Sequence, residues 1–132
     1  MAAISWDLNI KLGDETQITE SDSFVVEAFS EVEVTIEKGA TNKKIELQPG
    51  ESDQVKFVFI SSSKYQTKET KKLFYKLANG QNAKKITLDS PQFFIGTGMI
   101  GLFEKSPKEI YVTNKLEEDA TLTIILGRNA TT

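Results

Sequence analysis

The groups in this chain able to move protons or hold ions are carboxylates, lysines, tyrosines and hydroxyls, because histidine and cysteine are both absent. Without them the Ser-His-Asp, Cys-His and histidine–zinc constellations cannot be assembled within the chain. The side chain that ordinarily titrates near neutral pH is missing too, and so are disulfides and thiol redox chemistry. A pair of carboxylates could hydrolyse a glycoside; Asp14, Glu15, Glu20, Asp22, Glu51, Asp53, Glu117, Glu118 and Asp119 are the candidates. They lie in turn-like segments among Ser, Thr, Gly and Asn, where solvated acids normally sit, and no two stand out as a pair with separated pKa values. Calcium would suit the same oxygens, but neither Asp14-Glu15 nor Glu117-Glu118-Asp119 has the spacing of an EF-hand loop. The expectation is a protein that is not an enzyme and carries no catalytic residue, metal or cofactor.

Gly96-Thr97-Gly98-Met99-Ile100-Gly101 fits the pattern G-x-G-x-x-G. In a dinucleotide fold such glycines bring backbone N–H groups and a helix N-terminus up to a pyrophosphate, within a βαβ unit. Pro107 follows within two turns and no βαβ pattern surrounds the motif, so the glycines read as a tight turn or bulge. Lys64, Lys68, Lys71, Lys72 and Lys76, with Tyr65, Phe74 and Tyr75 among them, are the types a single-strand-binding groove would use. Lysine runs more often serve solubility. The net charge of −3 also disfavours general contact with polyphosphate, so no nucleic-acid partner is expected. The segment from Ser61 to Lys72 is still the best place for an exposed binding loop and for the one short helix the pattern allows. Tyr65, Lys68, Lys71, Lys72 and Tyr75 are its candidate contacts.

The elements that must position these groups are strands. Ile4, Trp6, Leu8, Ile10 and Leu12 alternate with polar residues, as in a half-buried strand, and Trp6 shares the parity of the apolar positions, which makes it a core residue. Val32, Val34 and Ile36 alternate with Glu31, Glu33, Thr35 and Glu37 in the same way, which puts the glutamates on the wet face. A shorter strand precedes them at 24–29. Ile45 and Leu47 lead into a Pro49-Gly50 turn. The segment 55–60 is apolar on both faces and therefore central. Strands at 73–77 and 86–88 flank Asn79-Gly80, a hairpin signal. Apolar stretches at 93–95, 99–100, 102–103, 109–113 and 121–126 complete the chain. Nine to eleven short strands with regular turn signals and no long helix describe an all-β fold, an antiparallel β-sandwich or barrel with the jelly roll as one instance.

The 132 residues form one domain, long enough to bury a core unaided. No apolar run approaches the roughly 20 residues that span a bilayer, and the opening residues carry no secretory signal; a cytoplasmic location, away from membranes, is expected from the residues alone. Asn129-Ala130-Thr131 is formally a glycosylation sequon, read as idle. Phe93, Phe94 and Ile95, with Met99, Ile100, Leu102 and Phe103, are more apolar than one sheet face needs, so this run is the expected interface of a homo-oligomer.

In size, composition and strand pattern, though not through any motif, the chain resembles the small all-β accessory proteins of tailed-phage particles, such as capsid decoration (cement) proteins. That resemblance implies a structural role in the virion, through protein–protein contacts with a major shell protein, often as a trimer. The alternative expectation is a carbohydrate- or receptor-binding module that uses tyrosines and polar loops.

Overall fold

The computed structural model describes residues 2–47, 55–78, 83–103 and 108–129, with backbone alone for Ala2, Thr97, Leu102 and Phe103. The turns expected at Pro49-Gly50 and Asn79-Gly80, the acids Glu51 and Asp53, and the last two residues of the sequon lie outside the described residues. Among the described residues, ten strands and one short helix follow in order: β1 (Ala2–Leu12), β2 (Thr16–Val26), β3 (Ala28–Ile36), β4 (Lys43–Glu46), β5 (Val55–Ser62), β6 (Leu73–Lys76), β7 (Lys85–Thr87), β8 (Gln92–Ile95), α1 (Thr97–Phe103), β9 (Glu109–Asn114) and β10 (Ala120–Arg128). Every strand pairing is antiparallel. The fold is all-β.

From β3 onward the pairing is nested. β3 pairs with β10, β4 with β9, β5 with β8 and β6 with β7; the pairs β10–β5 and β9–β6 join these into two four-stranded sheets, β3-β10-β5-β8 and β4-β9-β6-β7. The inward positions of the first sheet, among them Ile36, Val58, Ile60, Leu122, Ile124 and Leu126, share one buried cluster with Ile45, Leu73, Tyr75, Ile110 and Val112 of the second. Each such aliphatic side chain contributes about 1.5–3 kcal/mol by leaving water. The Tyr75 hydroxyl, at the edge of this core, donates to Gln92 Oε1 at 2.7 Å, which meets the need of a buried phenol for a partner.

Buried polar atoms close the loop end of the sandwich. Asn114 is fully buried; its Nδ2 donates to the carbonyls of Ile36 (2.9 Å) and Glu118 (3.1 Å), and its Oδ1 accepts the Leu116 N–H at 2.9 Å. One side chain thus satisfies three backbone groups at the point where β3, β9 and the approach to β10 meet.

Three expectations are corrected. Helix α1 occupies the stretch where Met99-Ile100 and Leu102-Phe103 read as strands. Gly96, at φ +85°, turns the chain out of β8, and the Ile100 N–H then bonds to the Gly96 carbonyl at 2.9 Å. A short apolar run has no period long enough to separate helix from strand. The segment 61–72 holds no helix; Ser61 and Ser62 end β5, and the rest is a loop tied by the Leu73 N–H on Gln66 Oε1 (2.8 Å) and the Ser62 N–H on the Tyr65 hydroxyl (3.1 Å). The third correction is β2. Thr16 to Ser23 is polar enough to read as loop, yet it pairs residue for residue with β1, from Leu12 opposite Thr16 to Ala2 opposite Val26.

Candidate functional site: a projecting amphipathic hairpin

Strands β1 and β2 form their own two-stranded sheet. Each has eleven residues, so the ribbon is about 35 Å long at 3.3–3.4 Å per residue. Gly13, at φ +63°, takes the left-handed conformation in the three-residue turn that reverses it. Residues directly opposite in an antiparallel pair point to the same face, so the register fixes both faces. One carries Ile4, Trp6, Leu8, Ile10 and Leu12 with Ile18, Phe24 and Val26, interrupted by Glu20 and Asp22. The other carries Ser5, Asp7, Asn9 and Lys11 with Gln17, Thr19, Ser21 and Ser23.

Only the root of the apolar face is covered. Val26 is buried, and the Phe24 ring lies 6.1 Å from that of Phe57. A Cβ on Gly127 would stand 2.6 Å from Ile4 Cδ1 and 3.2 Å from Val26 Cγ1, so the glycine lets the ribbon lie directly on β10. Gly127 and Phe57 are paired across β10 and β5 and face away from the core. The hairpin therefore roots on the outer face of the first sheet, and the Glu27 N–H, bonded to the Arg128 carbonyl at 3.0 Å, fixes the bend between β2 and β3.

Past the root the apolar face is bare. Leu8, Ile10, Leu12 and Ile18 are 44, 40, 59 and 44% exposed. This corrects the expectation of a half-buried strand: the alternation is real, but none of the described residues covers its distal half. Trp6, expected in the core, is half-buried at the junction, and its Nε1 is enclosed without a hydrogen-bond partner. No family model matches the chain, and comparison with curated proteins and with solved structures finds no match. The arrangement must be read from its own geometry.

The outer face of the first sheet continues the apolar surface. Phe59 and Phe93 are cross-strand partners with rings 5.0 Å apart, and Ile125 lies opposite Phe59 on β10. Phe29, Phe93 and Met99 are 59, 44 and 45% exposed. Of the expected interface residues, Phe93 and Met99 thus face solvent, Phe94 is half-buried against the core, and Ile100 is buried in it. The side chains of Leu102 and Phe103 lie outside the described residues.

The expected binding loop is only partly assembled. Tyr75 is fully buried in β6 and so leaves that set: its neighbours Leu73 and Phe74 are buried with it, and the alternation points its ring into the sandwich. Tyr65 is half-buried, its hydroxyl taken by the Ser62 N–H. Lys71 and Lys64 pair with Glu117 (3.2 Å) and Glu118 (3.3 Å), and Asp119 Oδ1 accepts the Lys38 N–H at 3.0 Å. The carboxylates of 117–119, considered for calcium, are thereby turned to three different partners. Lys68 and Lys72 are exposed. Lys72 lines an open cleft of about 270 Å³ with Gln66, Glu69, Phe74, Lys85 and Thr87, where Lys85 Nζ stands 4.9 Å above the Phe74 ring.

The outer face of the second sheet is charged instead. Lys44 Nζ bridges Glu109 (3.1 Å) and Glu46 (3.5 Å), and the Tyr111 hydroxyl donates to Glu109 Oε1 at 2.6 Å. The tyrosine hydrogen bond, followed by that from Lys44, holds the Glu109 carboxyl below its ordinary range. The same bond to Glu109 raises the Tyr111 hydroxyl. In the core, burial pushes the Tyr75 hydroxyl far above the usual phenol range.

Proposed function

We propose that this chain is a non-enzymatic assembly protein, a virion accessory protein of the capsid-decoration kind, which is held to a protein shell by protein–protein contacts and whose N-terminal hairpin is its assembly element. The observation that carries the reading is the bare apolar face at Leu8, Ile10, Leu12 and Ile18. A two-stranded hairpin is at best marginally stable alone in water, and an apolar face kept exposed marks an interaction site. Such a face asks for an extended protein surface rather than a small molecule, which would take an enclosed pocket. The sandwich beneath it is read as a jelly roll. Counted from β3, its strands fall in the order 1-8-3-6 and 2-7-4-5, as in a long hairpin folded over on itself.

Under this reading the partner is a major shell protein, the location is the virion, and neither nucleic acid nor membrane is involved. Particles purified from the culture that produces the chain should contain it in fixed ratio to the shell protein by quantitative mass spectrometry. Particles free of it would overturn the reading. The second reading, a carbohydrate- or receptor-binding module, draws on the cleft at Lys72, Phe74 and Lys85, which combines cationic groups with an aromatic ring. A glycan array distinguishes the two: binding that Lys85→Ala abolishes would favour the module.

A further inference from the structure

We infer that the bare half of the hairpin lies on the outer face of the first sheet of a second copy of this chain, over Phe59, Phe93 and Ile125, an inference that rests on the hairpin being the assembly element. The root already makes this type of contact within one chain: Ile4, Phe24 and Val26, on the same ribbon face as Leu8 and Ile10, sit on Gly127 and Phe57 of that sheet. The next outward row of the same sheet is Glu31, Ile125, Phe59 and Phe93 across β3, β10, β5 and β8. It is apolar at its last three positions and uncovered at Phe93.

The chain's own ribbon does not lie along this row. Its root contacts run from Gly127 on β10 to Phe57 on β5, and exposure rises from Val26 through Ile4, Phe24 and Trp6 to Leu8. Each copy consequently presents one uncovered ribbon face and one sheet row of matching character that is open at Phe93 and half-buried at Phe59 and Ile125. In a heterologous contact each copy can give one and take one, and the assembly closes where the rotation between copies brings the last ribbon back to the first sheet.

Charge selects where on the sheet the ribbon sits. Residues 2–26 carry Asp7, Asp14, Glu15, Glu20 and Asp22 against Lys11 alone, five acids to one base, or −4. Glu31 and Glu33 on β3 repel such a ribbon. The Phe59–Phe93 end is two strand spacings away, roughly 10 Å, about one screening length at moderate salt. The free stretch of ribbon is about 20 Å by 10 Å, on the order of 200 Å² of face, well below the area of a stable specific interface, so each contact is weak. Association should therefore depend on concentration and strengthen with added salt, whereas docking on a basic surface would weaken.

The test is sedimentation equilibrium of the intact chain from micromolar to millimolar concentration. The expected result is a closed assembly of two or three chains, with dissociation at least tenfold easier in the ribbon variant Ile10→Asp and in either face variant, Phe93→Ser or Ile125→Thr. Ile125→Thr keeps a β-branched side chain at a strand position, so it reads the face even if Phe93→Ser unfolds. Assembly that Ile10→Asp abolishes but Ile125→Thr leaves intact would overturn the inference and place ribbon against ribbon. A mass of one chain at every concentration would overturn it as well, while leaving the shell contact, tested by particle composition, standing.

Discussion

Strands β1 and β10 have nearly the same pattern in sequence and opposite fates in the molecule. Ile4, Trp6, Leu8, Ile10 and Leu12 alternate with polar residues throughout, and Leu122 and Ile124 alternate with Thr121 and Thr123 before Ile125 and Leu126 interrupt the pattern. The β10 residues are buried between two sheets, while Leu8, Ile10 and Leu12 face water. Alternation therefore establishes that a segment is a strand and which of its faces is apolar; it does not establish what covers that face. The cover is a tertiary fact in the sandwich and, by the reading above, a quaternary one in the hairpin.

The comparison would break first in a truncation pair. Leu122→Ala should cost about 2–5 kcal/mol, because a fully buried side chain is removed and the two sheets collapse only partly around the void. Ile10→Ala should cost less than about 0.5 kcal/mol in the free chain, as expected of an exposed position. Urea unfolding of both variants at a concentration too low for association measures the difference. Equal losses would mean that the ribbon is covered within one chain.

The buried amide of Asn114 gives the next effect. Asn114→Leu matches the volume but strands two carbonyls and one N–H inside the protein; the expected loss is about 2–4 kcal/mol in the same unfolding assay, from the usual cost of unsatisfied buried groups. Among the described residues the hairpin has no polar hub of this kind, so Ser21→Ala on its polar face should leave the midpoint within experimental error.

Gly127 is where the two regions touch. Gly127→Ala puts a methyl group 2.6 Å from Ile4 Cδ1 and 3.2 Å from Val26 Cγ1. The Ile4 atom ends a flexible side chain and can move, so the cost should be about 1–2 kcal/mol, in the range of modest overpacking. Adding Ile4→Ala should recover part of the loss, and a double-mutant cycle gives the coupling directly. If the two effects simply add, the ribbon does not rest on β10.

Much of this was legible before the structure. The strand count, the antiparallel class, the central position of β5 and the outward face of the β3 glutamates all follow from period-two alternation, which reads burial one strand at a time. What escaped depends on other strands. β2 has too few apolar residues to announce itself, and only the register with β1 gives Ile18, Phe24 and Val26 a common face. A turn signal was present in Gly13-Asp14, and pairing Leu12 with Thr16 across it would have found the ribbon. Tyr75 was misplaced because an aromatic residue among lysines suggests a surface, although Leu73 and Tyr75 share a parity that the sheet turns inward. Helix α1 escaped because seven residues are too few for a 3.6-residue period to show.

The smallest expected effect compares the outer faces of the two sheets. The first is apolar and, in the reading above, meant to be covered; the second is held by Lys44, Glu46, Glu109 and Tyr111 and meant to stay wet. Its Glu109 carboxyl is lowered first of all by the Tyr111 hydroxyl, and then by Lys44. A carboxyl whose folded pKa is depressed contributes stability above its unfolded pKa, and that contribution is lost as pH falls through the folded value. Tyr111→Phe and Lys44→Met should each move the Glu109 pKa up toward the ordinary carboxylate range; carboxyl-carbon NMR titration follows both. Because Glu109 is solvated, the unfolding midpoint near neutral pH should hardly change in either variant. An unshifted Glu109 pKa in Tyr111→Phe would mean that the hydroxyl spends its time in water and that this face, unlike the first, has no fixed surface network.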